Sequence, residues 1–80
     1  MANITASEPA YDAASVTPSD TTRIGGVRGL YIGGAGDVKI TTEGGSDITF
    51  AGVVAGSILP IRATRVYATG TTATNIIALL

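Results

Sequence analysis

The sequence contains no cysteine, no histidine and no tryptophan. Without cysteine there is no disulfide framework, and without cysteine or histidine there is no zinc-type site and no imidazole acid–base chemistry. A Ser–His–Asp relay is excluded on the same ground, although Ser19 and Asp20 stand side by side. Charge is scarce: Lys, Arg, Asp and Glu make up 14% of residues, well below the usual share, and the net charge is −1. With no basic cluster, nothing points to a nucleic-acid partner. The aromatic residues are Tyr11, Tyr31, Tyr67 and Phe50, too few for the stacking platform of a sugar- or single-strand-binding face. No apolar run reaches membrane-spanning length and no basic leader precedes an apolar core, so neither a span nor a signal peptide is expected. Asn3-Ile4-Thr5 is then a chance match to a glycosylation acceptor.

What the chain does have is glycine, 11 residues of it, and a 45% share of hydrophobic residues in a length of 80. That length allows one domain. A chain so short buries only about 60% of its unfolded surface. Small domains therefore add disulfides, metals or partner subunits. With disulfides and zinc-type sites excluded, association remains, and it would cover the apolar surface that the scarce charges leave bare.

The most informative stretch is 28–53. Apolar side chains alternate in it: Leu30 and Ile32, Val38 and Ile40, Ile48 and Phe50. Lys39, Thr41 and Thr49 fall between them, and Gly33-Gly34-Ala35-Gly36 and Gly44-Gly45 interrupt the runs. Period-2 alternation cut by glycine predicts half-buried strands joined by tight turns, here a three-stranded antiparallel meander with Phe50 buried. The first glycine cluster is not a phosphate loop, because no Gly-Lys-Ser/Thr opens a helix after it, and it lacks the dinucleotide fingerprint for a similar reason. Asp37, Glu43 and Asp47 lack the spacing of a calcium loop. No cofactor and no metal is expected, and no catalytic set is present.

Residues 1–15 show no period and predict a flexible N-terminal arm, either a frayed tail or a segment that docks on a neighbouring subunit with Ile4 and Tyr11 as its apolar anchors. Val16-Thr17-Pro18-Ser19-Asp20-Thr21-Thr22 predicts a turn or strand edge. Tyr31 points away from Leu30 and Ile32, which suits a subunit interface. Residues 57–67 predict one long strand, with Pro60 at an edge or bulge. Arg62 and Arg65 would then lie on opposite faces, one of them free to meet a carboxylate at an interface. Tyr67 joins them as an interface candidate. In the last strand Ile76, Ala78 and Leu80 share one face and Ile77 and Leu79 the other, so both faces are covered or one meets another subunit. The expected core and subunit-contact set is Ile58, Leu59, Ile61, Ile76, Ile77, Leu79 and Leu80. The fold class is all-β: a small antiparallel sandwich or barrel, jelly-roll-like, formed by residues 16–80 and preceded by the extended arm of residues 1–15.

Four segments taken together carry a family likeness. They are Val16-Thr17-Pro18-Ser19-Asp20-Thr21-Thr22, Arg28-Gly29-Leu30-Tyr31-Ile32-Gly33-Gly34-Ala35-Gly36-Asp37-Val38, Ala55-Gly56-Ser57-Ile58-Leu59-Pro60-Ile61-Arg62 and Ala68-Thr69-Gly70-Thr71-Thr72-Ala73-Thr74. Their order and spacing resemble the spike base proteins of tailed phages and gene transfer agents. The resemblance implies a non-enzymatic structural protein on the capsid exterior, assembled in the host cytoplasm. It implies a symmetric homo-oligomer at the vertices, a pentamer or alternatively a trimer. Its implied partners are the major capsid protein and a spike or fibre protein. A decoration or cementing protein without a fibre, and a small β-barrel ligand-binding module, are the alternatives.

Overall fold

The structure is a computed structural model that describes residues 10–80. Among these residues are seven strands and no helix: β1 (Ala13–Ser15), β2 (Gly29–Gly34), β3 (Gly36–Thr42), β4 (Asp47–Val53), β5 (Ser57–Leu59), β6 (Ala63–Val66) and β7 (Thr74–Leu79). They form two antiparallel sheets, one in the order β1-β7-β2-β5 and the other in the order β4-β3-β6. The fold is all-β, a small sandwich. The first strand takes Ala13, Ala14 and Ser15 from the expected arm and pairs them with Leu79, Ala78 and Ile77.

The sandwich closes because the alternation read from the sequence turns one side of each central strand to the same interior. Leu30 and Ile32 of β2 and Ile76 and Ala78 of β7 face Val38 and Ile40 of β3 and Val66 of β6, all buried. Lys39 and Thr41 point the other way. Leu30, Ile32, Val38 and Ile40 are the largest fully buried side chains, each contributing about 1.5–3 kcal/mol relative to exposure. Among the described residues no polar or charged residue is fully buried. Ala63 and Val66 both reach the core despite their odd spacing, because the β3–β6 register shifts between Thr41 and Thr42.

The expected meander is not what forms. Hairpin pairing joins β3 to β4, but β2 pairs with β5 and β7 in the opposite sheet. The glycine cluster is a corner between sheets, not a tight turn. The 33–36 segment runs close against Ala73, Thr74 and Asn75. A Cβ on Gly34 would strike the Thr74 hydroxyl, and one on Gly36 would lie 2.6 Å from the Ala73 backbone nitrogen. Gly36 also holds a φ of 153°, outside the range favoured by L side chains. Alternation cannot distinguish a turn within a sheet from a crossing between sheets, since both leave the period intact.

The long strand expected over 57–67 is also divided. Pro60 has no N–H for a ladder, and the chain leaves β5 there and enters β6 in the other sheet three residues later. The half of β3 that β6 does not reach is served by the 67–73 segment. Tyr67 N–H donates to Lys39 O, Thr72 and Ala73 N–H to Asp37 O, and the Thr72 and Thr71 hydroxyls accept from Asp37 and Lys39 N–H. Residues 16–22 do turn as expected: the Ser19 hydroxyl accepts from the N–H groups of Thr21 and Thr22. Phe50, expected to be buried, is only half-buried, because β4 is an edge strand.

Replacing Leu30 by Ala should cost about 2–5 kcal/mol, a large share of the total stability of a domain this small. A urea melt followed by circular dichroism measures it, and an unchanged midpoint would contradict the packing described.

Candidate assembly surface

The outer face of the four-stranded sheet carries an apolar row. Tyr31 stands opposite Ile58 on one side and Ile77 on the other, and Ile77 stands opposite Ser15. Directly opposed residues share a face, so Ile58, Tyr31 and Ile77 form one continuous strip. Ile58 is 58% exposed and Tyr31 38%. Leu79 lies on the same face, one pair further along, beside Gly29, whose missing side chain leaves room for it. Ile58 was expected in a combined core and contact set, and it is on the surface, not in the core. The reason is register: Leu59, not Ile58, stands opposite the buried Leu30.

The rest of that set divides by face. Ile76 is buried, while Leu59, Ile61 and Leu80 are half-buried and pack against the core. Ile77 and Leu79 are half-buried on the outer face. The interface candidates are scattered. Tyr11 is 88% exposed at the β1 end, its N–H donating to Leu80 O. Arg62 lies between strands, with its guanidinium 3.9 Å from Glu43, an exposed pair that contributes little. Ile4 lies outside the described residues.

Arg65 and Tyr67 meet on the outer face of the three-stranded sheet. The Tyr67 hydroxyl donates to Asp47 at 3.3 Å and accepts from Arg65 Nη1 at 3.4 Å, and Thr41 donates to the same carboxylate oxygen at 2.7 Å. Lys39 Nζ and the Arg65 guanidinium carbon lie 4.9 and 5.5 Å from the Tyr67 ring centre. Such contacts steady the ring over the sheet. Arg65 Nε is buried without a hydrogen-bond partner among the described residues, which costs stability. The two outer faces thus differ in chemistry: one is an apolar strip, the other a polar patch of mixed charge.

Sequence reasoning missed a clamp between distant loops. The Asp20 carboxylate accepts from Thr69 N–H at 2.9 Å and from the Thr69 hydroxyl at 2.7 Å. These bonds hold the Asp20 carboxyl below its usual range. No local signal pairs residues 49 positions apart. The acidic side chains once considered for calcium have other uses: Asp37 accepts from Gly52 N–H, Glu43 faces Arg62 and Asp47 bonds Thr41. Among the described residues no three potential metal ligands gather.

Comparison with solved structures decides the family. A structure described as the capsid of a native GTA (gene transfer agent) particle computed with C5 symmetry contains a chain that superposes with a TM-score of 0.84. The two share 37% identity, over 98% of this chain and 92% of the other. This chain belongs to that capsid component's family. No protein-family profile and no curated protein matches it.

The clamp gives a pH dependence with a definite sign. A lowered folded-state pKa means that Asp20 contributes stability above the ordinary carboxylate range and loses it as pH falls through the folded value. Asp20→Asn should therefore lower Tm at neutral pH, and the gap from wild type should close in acid. A gap that persists unchanged in acid, measured by paired thermal melts, would show that the carboxylate charge is not responsible.

Proposed function

We propose that this chain is a head spike base: a structural protein on the exterior of a phage-type capsid that forms a pentamer at the vertices and anchors a spike or fibre to the major capsid protein. The likeness to a component of a GTA capsid computed with C5 symmetry, over nearly the whole chain, carries this reading. The physical features agree with it. The strip of Ile58, Tyr31 and Ile77 presents apolar surface that a lone soluble domain would expose at a cost. The residues ahead of β1 act as an arm towards the capsid or a neighbouring subunit, and β1 to β7 form the β domain. A role as a scaffold needs rigidity and complementary faces, which two sheets packed on one dry seam supply.

Ile58→Asp should leave the fold close to wild type, within about 0.5 kcal/mol, because the side chain is exposed. It should nevertheless reduce assembly. Leu79→Asp, at a half-buried position, should give a poorly folded or monomeric chain. Native mass measurement, with circular dichroism as the check on folding, reads both. A wild-type chain that stays monomeric and is absent from the surface of imaged particles would overturn the proposal.

A further inference from the structure

Sheet edges must be protected, because their unpaired N–H and C=O groups invite another strand. The edge of β6 is covered by residues 19–24: Ser19 N–H donates to Val66 O and Ile24 N–H to Thr64 O. The edge strand β5 has three residues and stops at Pro60. The edge strand β1 also has three, and Ala13 N–H already bonds the Asp12 side chain. Only β4 presents a long open edge among the described residues: seven residues with no Lys and no Pro.

The polarity of that edge follows from the hairpin. Thr42 N–H donates to Ser46 O, so bonded pairs recur every second residue, at Ile40–Ile48 and Val38–Phe50. The backbone groups of Asp47 and Thr49 therefore face away from β3. Beside them, on the inner side, Ile48 is 42% exposed and Phe50 is half-buried at the lip of the sandwich. A strand added here would complete the ladder and cover both.

The topology indicates where that strand comes from. β4 and β5 are edge strands of different sheets joined by residues 54–56, so they share one flank. β1 and β6 share the opposite flank, bridged by the segment that runs from β1 along β6. The described chain begins on that second flank, with Tyr11 bonded to Leu80 O. In a head-to-tail ring the β1 flank of one subunit meets the β4 flank of the next. The residues ahead of Ala10 number nine and reach about 30 Å when extended. Seven residues of β4 span about 23 Å. No proline precedes Pro9, so every position from 2 to 8 can offer an N–H.

We infer that the open edge of β4 is the seat for the N-terminal segment of a second copy of this chain, which adds as a strand and places Ile4 against Ile48 and Phe50. The inference rests on the homo-oligomer of the proposed function and names its seam. Because the natural chain has no cysteine, Thr5→Cys, which would share the outer face with Asp47, Thr49 and Ala51 when Ile4 faces inward, combined in turn with Asp47→Cys, Thr49→Cys or Ala51→Cys tests it in the full-length protein. Oxidation should link subunits into a ladder on a non-reducing gel. A bridge that forms within single chains, or no bridge in an assembled sample at any of the three positions, overturns the inference. Removal of residues 2–9 should weaken assembly by at least about tenfold, read by sedimentation. Thr49→Pro should do the same without disturbing β3, since the Thr49 N–H faces outward, and Ile48→Lys provides a second route to that loss. Circular dichroism confirms that each variant is folded. A ring that persists without residues 2–9 removes only this seat, whereas a monomeric wild type removes both the seat and the ring.

Discussion

Everything in this molecule depends on one dry seam between two sheets. Leu30, Ile32, Ile76 and Ala78 on one side meet Val38, Ile40, Ala63 and Val66 on the other. None of these side chains carries a charge or an unsatisfied polar group, and no disulfide supports them. The strands exist because they share this seam: a hairpin alone is marginal in water, and a strand of three residues such as β1 is held only by its partner. Hydrogen bonding along β3 shows the same dependence. Where β6 ends, threonine hydroxyls and loop N–H groups take over, so the central strand stays paired along its length.

The seam also fixes what is left outside. Alternation that sends Ile76 and Ala78 inward sends Ile77 and Leu79 outward, and Tyr31 and Ile58 follow by cross-strand register. The apolar strip is thus a geometric consequence of the core. On the three-stranded sheet the same rule exposes Lys39, Thr41 and Arg65, and Tyr67 with Asp47 ties them into a polar patch. Among the described residues the molecule thus has two chemically different faces and one long open edge. Membership of a capsid family fits that description.

Much of this was legible beforehand. The strands of 30–53 and 75–80, the turn at 16–22 and the outward direction of Tyr31 follow from period 2 and from turn chemistry, because the pleat forces successive side chains to opposite faces. The absence of helix was equally readable, since no 3.6-residue period competes. Where the reading failed, the failure was one of sheet membership. Gly33-Gly34-Ala35-Gly36 and Pro60 were both recognised as interruptions, yet each proved to be a crossing between layers. The face of Ile58 was unreadable for the same reason: it depends on the partner that β5 chooses, and that partner is β2.

Composition and alternation by themselves determined that the chain is all-β and short of charge. They did so because burial and pleat act locally on each side chain. Tertiary structure alone decided which strands share a sheet, that Asp20 grips Thr69 across 49 residues, and that among the described residues β4 keeps a free edge while β6 does not. Those outcomes depend on which distant backbone arrives alongside, and the chain records that only through the combined packing of all its strands.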